Sequence, residues 1–92
     1  MEYSYPLRND WTTEEIIAVM NFYELIERAY EEGVLRDDVM NAYQAFKVIV
    51  PSKAEEKTLF GEFEDASGYS SYHIVKAARE GTSEELVKGT QR

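Results

Sequence analysis

The sequence contains no cysteine. That removes disulfides, thiolate zinc sites and thiol nucleophiles at once. It holds a single histidine, His73, and one imidazole without a thiol cannot build a typical transition-metal shell. The acidic residues show no EF-hand spacing, and no glycine-rich phosphate loop is present. No cofactor is therefore expected. The longest uninterrupted apolar run is IIAVM, Ile16 to Met20, far short of a membrane span. The opening residues Met1-Glu2 carry no basic segment of the secretory type, so a cytoplasmic protein with no membrane contact is expected.

What is present suits one small folded unit. The chain has 92 residues, 43% of them hydrophobic and 13% aromatic, including seven tyrosines. A chain of this size can bury roughly 60–65% of its unfolded surface, so residues 1–92 are expected to form a single domain. The net charge of −8 is unevenly spread: residues 1–38 hold ten acids and three bases, residues 39–92 eight acids and seven bases. An acidic surface of this kind repels phosphate backbones and anionic membranes.

Four helices are legible. Thr12 with Glu15 forms a capping box before a first helix, and Trp11 can staple onto Ile16. Apolar residues from Ile16 to Tyr30 fill well over half of that helix's circumference, more than the stripe of about 100° that a surface helix needs. It should be central. Its narrow polar face holds Glu14, Asn21, Glu24, Arg28, Glu31 and Glu32, with Glu24–Arg28 spaced as a stabilising pair and Ile17 in its midst. The N-terminal arm, Glu2 to Asp10, is extended by the alternation of Tyr3 and Tyr5 and by Pro6; its tyrosines are expected to lie over the helical core, and the arm to cover Ile17, the alternative being that Ile17 is a contact point. Gly33 ends the helix.

The second helix runs from about Arg36 to Val50 and stops at Pro51. A third starts at Ser52, with Glu55 completing a capping box, and buries Leu59, Phe60, Phe63 and Ala66 until Gly68. A fourth takes Ser70 as its N-cap and buries Ser71, Ile74, Val75 and Ala78, ending at Gly81. Thr82 and Glu85 suggest one further short helical turn. No segment shows sustained strand alternation. The fold expected is all-α: a compact array of four principal helices, the first central, with an extended N-terminal arm and a short extra C-terminal helical turn.

The stretch SGYSSYHIV, Ser67 to Val75, gathers hydroxyls beside the lone histidine. A serine–histidine nucleophile pair requires an orienting third group, and His73 shares its helix's polar side with Lys76 and Glu80. The reading is punctuation: Gly68 closes one helix and Ser70 opens the next. The same corner resembles a helix-turn-helix, with Phe63, Tyr69, Ile74 and Ala77 at its apolar positions and Ser70, Ser71, His73 and Lys76 facing the duplex. Glu64 stands where that motif packs a small residue, and residues 53–88 hold eight acids against five bases, which opposes binding to a polyanion.

The blocks YSYP with DWTTEEI, AYQAFKVIVPSKAEEK and SGYSSYHIVKAA resemble, across essentially the whole chain, a small bacterial family of Gram-positive Firmicutes: uncharacterised protein family number two hundred and twenty-three. The resemblance implies a short, all-helical cytoplasmic protein, and it supplies no catalytic residue to carry over.

The expected role is non-enzymatic: an interaction or regulatory protein that binds another protein. Two surfaces are candidates. One is the acidic first helix, where Glu14, Asn21, Glu24 and Glu31 surround Ile17. The other is the corner of Pro51, Ser52, Lys53, Lys57, Tyr69, Ser70 and Tyr72, where two helix starts gather donors and rings. Nucleic-acid binding through the Gly68 corner is the alternative.

Overall fold

The Thr12 hydroxyl accepts the Glu15 N–H at 3.1 Å while the Glu15 carboxylate accepts the Thr12 N–H at 2.8 Å. This reciprocal cap starts α1, Thr13–Glu31. The computed structural model describes residues 4–81 and 86–89. After α1 the chain reverses at Gly33, whose φ of +88° lies in the left-handed region that glycine enters without steric cost. It then forms β1 (Val34–Leu35), α2 (Arg36–Ile49), α3 (Lys53–Ser67), α4 (Ser71–Glu80) and β2 (Leu86–Val87). Pro51 follows α2 as the sequence pattern requires, and Gly68, at φ +83°, closes α3.

Helix α1 is the hub. Its Phe22 ring stacks on Phe46 of α2 at 5.0 Å and on Phe60 of α3 at 5.8 Å. Tyr23 stacks on Phe63 of α3 at 4.6 Å. Val19, Phe22, Tyr23, Ile26 and Ala29 are fully buried, joined by Ile74, Val75 and Ala78 from α4. Burying one such large side chain stabilises by about 1.5–3 kcal/mol, so these contacts outweigh any single surface ion pair. The expected central first helix and all-α architecture are what the chain adopts, with one small addition.

That addition lies at the C-terminal end. The Thr82–Glu85 capping pair lies outside the described residues, but Leu86–Val87 is a strand, paired antiparallel with β1 so that Val34 faces Val87 and Leu35 faces Leu86. The pairing answers the backbone groups left open on Val34–Leu35 and buries Val87 while Leu86 stays out. Two residues are too few for alternation to be read from sequence. Just beyond, Gly89 donates its N–H to the Ala29 carbonyl at 3.0 Å.

The N-terminal arm lies over the helical core as expected, but it does not cover Ile17. Tyr5 places its ring 5.3 Å from Tyr23 and 6.0 Å from Phe63, and its hydroxyl donates to Glu27 at 2.6 Å. Tyr23 in turn donates to the Pro6 carbonyl, and Arg8 reaches both carboxylate oxygens of Glu62 on α3 at 3.3 and 3.4 Å. Apolar ring contact draws the arm to the α1–α3 seam. Ile17 is left uncovered, 52% exposed. Two electrostatic expectations also change: Glu24 and Arg28 form no ion pair with each other, and Ser52 caps Glu55 while the Glu55 carboxylate lies 3.9 Å from Arg8 Nε rather than closing a box.

Candidate functional site

Five residues of α3 (Lys53, Lys57, Phe60, Gly61 and Glu64) recur at spacings that place them along one helical face. Against the far end of that face stands the first turn of α4. It was started by the Ser70 hydroxyl, which accepts the His73 N–H at 3.2 Å, an N-cap of ordinary type. Between the two lies a groove of about 550 Å³, walled on the α4 side by Ser70, Ser71 and Tyr72 and edged by Glu56. At 1.5 Å per residue the α3 wall, from Lys53 to Glu64, is about 16 Å long.

The groove is polarised. Lys53 and Lys57 sit exposed near the start of α3, and no ion pair among the described residues engages them. Glu56, between them, is already held: it accepts from Tyr43 Oη at 2.9 Å and from Lys47 Nζ. Burial first, and then the Glu56 carboxylate, raises the Tyr43 phenol above its ordinary pKa, so Tyr43 remains a donor. Glu64 marks the opposite end. The middle is apolar, with the Phe60 ring at the floor and Tyr72, 61% exposed, on the wall.

Two features of the groove are not explained by the chain's own packing. A Cβ added at Gly61 would meet no atom within 4 Å, although a glycine inside a helix costs roughly 0.5–1 kcal/mol relative to alanine. The Ser71 hydroxyl is fully buried and has no hydrogen-bond partner among the described residues, a burial that costs about 1–3 kcal/mol.

The structure brings together Lys53, Lys57, Ser70 and Tyr72 of the second candidate surface. It does not bring in the rest. Pro51 and Ser52 are exposed outside the groove lining, and Tyr69 turns away to stack on Tyr30 at 4.6 Å and 10°. Glu56, Phe60, Gly61, Glu64 and Ser71 are additions. The interior glycine was a local sequence signal for Gly61 alone; joining the others to the lysines requires the position of α4.

On the first candidate surface, Glu14, Asn21, Glu24 and Glu31 are all exposed on α1 with Ile17, Glu31 lying about 21 Å from Ile17 along the helix axis. At the Gly68 corner, Ser71 is buried rather than free to face a duplex, while His73 and Lys76 are exposed. His73 is not part of the groove lining. Among the described residues no group of three or more histidine or acidic side chains is placed to hold a metal ion, and no helix is long and apolar enough to cross a membrane.

Residues 2–87 match the uncharacterised protein family UPF0223. This chain belongs to that family. A UPF0223 protein of Oceanobacillus iheyensis is 57% identical, with 96% of this chain and 99% of the relative aligned. One from Lysinibacillus sphaericus is 54% identical over 96% and 93% of the two chains. The UPF0223 protein YktA of Bacillus subtilis is 56% identical over 87% and 91%. The UPF0223 match thus spans α1 through β2, and the relatives are of nearly the same length as this chain.

Proposed function

We propose that this UPF0223 protein is a small non-enzymatic cytoplasmic binding protein that takes a partner protein in the α3–α4 groove. The observation that carries the reading is Gly61: a bare stretch of helix backbone facing open space between an apolar floor and an exposed tyrosine. Intramolecular packing has no use for a glycine there, whereas a partner approaching the backbone closely does. The groove also has the mixed make-up of a recognition site, apolar in the centre with polar groups at its ends.

The test is a capture experiment from a Bacillus lysate with the native chain and with Gly61→Trp, whose indole fills the groove from a position with room for it. A protein held by the native chain and lost from the variant, at unchanged helicity, supports the reading. Identical captured sets from both chains overturn it.

A second reading rests on Ile17, half-exposed on the same helix as Glu14, Glu24 and Glu31, a face suited to a basic partner. Glu24→Lys with Glu31→Lys should then abolish capture that Gly61→Trp leaves intact.

A further inference from the structure

We infer that the occupant of the α3–α4 groove is an acidic segment of a partner protein, presenting a carboxylate about one helical turn from an apolar side chain. This rests on the reading of the groove as the binding site and adds the chemistry of what enters it.

Charge complementarity decides the first half. Lys57 and Lys53 lie one helical turn apart on the α3 face, both exposed, and no ion pair among the described residues neutralises them. The nearest acid on that rim, Glu56, is taken up by Tyr43 and Lys47. The two ammonium groups therefore act together on whatever docks beside them, in a chain whose net charge is −8. A ligand carboxylate meets an attractive local field there.

Geometry decides the second half. Gly61 follows Lys57 by four residues, about 6 Å along the helix, and lies beside the Phe60 ring, with Tyr72 across the groove. A side chain entering above Gly61 meets no Cβ from the floor in a groove whose lining includes Phe60 and Tyr72. That niche takes an aliphatic or aromatic group. The occupant's carboxylate and apolar group are thus separated by about 6 Å, the spacing of residues one turn apart on a helix.

A nucleic acid supplies negative charge too, but as a continuous row of phosphates. It would run from the lysines toward Glu64 at the other end of the same groove and toward an acidic protein surface. A peptide with one or two carboxylates avoids that repulsion.

The probe is a displayed library of random peptides of about twelve residues, long enough to span the groove as a helix, panned against the full chain. Synthetic versions of the enriched sequences are then titrated. The expected result is enrichment of Asp or Glu three or four residues from an aliphatic or aromatic side chain. Binding should weaken at least about tenfold in Lys57→Glu and in Gly61→Leu, and change far less in Lys76→Glu, which alters net charge equally at a residue outside the groove lining.

Enriched peptides rich in Lys and Arg overturn the acidic occupant, as does equal weakening by Lys76→Glu and Lys57→Glu. If such peptides still lose affinity in Gly61→Leu, the groove stands and only its assigned chemistry falls. If Gly61→Leu binds every enriched peptide as the native chain does, both readings fall. Failure to enrich any peptide, with a labelled oligonucleotide or a second copy of the chain binding in a Gly61-dependent way instead, also overturns the inference.

Discussion

The Tyr30 hydroxyl donates to the Ser70 carbonyl at 3.3 Å and accepts the Ser70 N–H at 3.2 Å. One phenol at the end of α1 thereby satisfies both backbone groups of the residue that caps α4. The Tyr30 ring also stacks on Tyr69, and the backbone of Gly89 passes so close beneath it that a Cβ at 89 would collide with the ring. The groove wall formed by Ser70 to Tyr72 is fixed to the hub through this tyrosine.

Tyr30→Phe keeps the ring and removes the pin. The part-buried Ser70 N–H loses its partner, a loss of about 1–3 kcal/mol, while the Ser70 carbonyl keeps the Ile74 N–H at 3.4 Å. Urea denaturation should show it, together with faster amide exchange in the first turn of α4. Stability within a few tenths of the native value would show that the hydroxyl holds nothing.

Three glycines should separate cleanly. Gly68→Ala forces a Cβ into a left-handed conformation and should cost about 1–2 kcal/mol. Gly89→Ala displaces Tyr30 and should lower the melting temperature too. Gly61→Ala should raise stability by about 0.5–1 kcal/mol. Thermal unfolding of the three variants checks the order; a destabilised Gly61→Ala would mean that the glycine serves the fold and not an incoming partner.

The Tyr5 phenol is raised above its ordinary value of 10.0, first by burial and then by its hydrogen bond to Glu27. A raised folded-state pKa gives stability that is fully present below the unfolded value and is lost as pH climbs past it. Tyr23 is raised as well, chiefly by burial. Denaturant midpoints should therefore hold level from neutral pH to about 10 and fall above it. Tyr5→Phe should be less stable at neutral pH by about 1 kcal/mol and show a shallower alkaline decline. An unchanged decline would mean that Tyr5 ionises as freely folded as unfolded.

Much of this was legible in the sequence because local signals agreed. The Thr12–Glu15 box, Gly33, Pro51, Gly68 and the Ser70 cap each act over one turn, and each marks a boundary in the fold. The wide apolar arc of α1 likewise announced its central place. What escaped depends on tertiary choice. Nothing in Tyr3–Tyr5–Pro6 says which seam an extended arm will follow, and ring contacts with Tyr23 and Phe63 drew it away from Ile17. Leu86–Val87 pairs with Val34–Leu35 across more than fifty residues, which no local pattern encodes. In the site, Lys53, Lys57, Ser70 and Tyr72 could be named from helix starts. Gly61, Glu64 and Phe60 could not be joined to them without knowing that α4 begins beside that face of α3.

A labelled DNA duplex should show no salt-sensitive mobility shift with the native chain, and Lys76→Glu should change nothing. Ser71, one of the positions that a reading helix would need, is buried, and the chain's acidity opposes phosphate neutralisation. A shift at low salt that disappears in Lys76→Glu would move the binding surface to the Gly68 corner.

The most direct measurement is an NMR titration of the labelled chain with its captured partner or an enriched acidic peptide. The amides of Lys57, Gly61 and Glu64 on α3 and of Ser70 and Tyr72 at the start of α4 should move together, saturating with one affinity. A Gly61 signal that stays still while Glu14, Ile17, Asn21 and Glu24 shift would contradict the account and place the partner on α1.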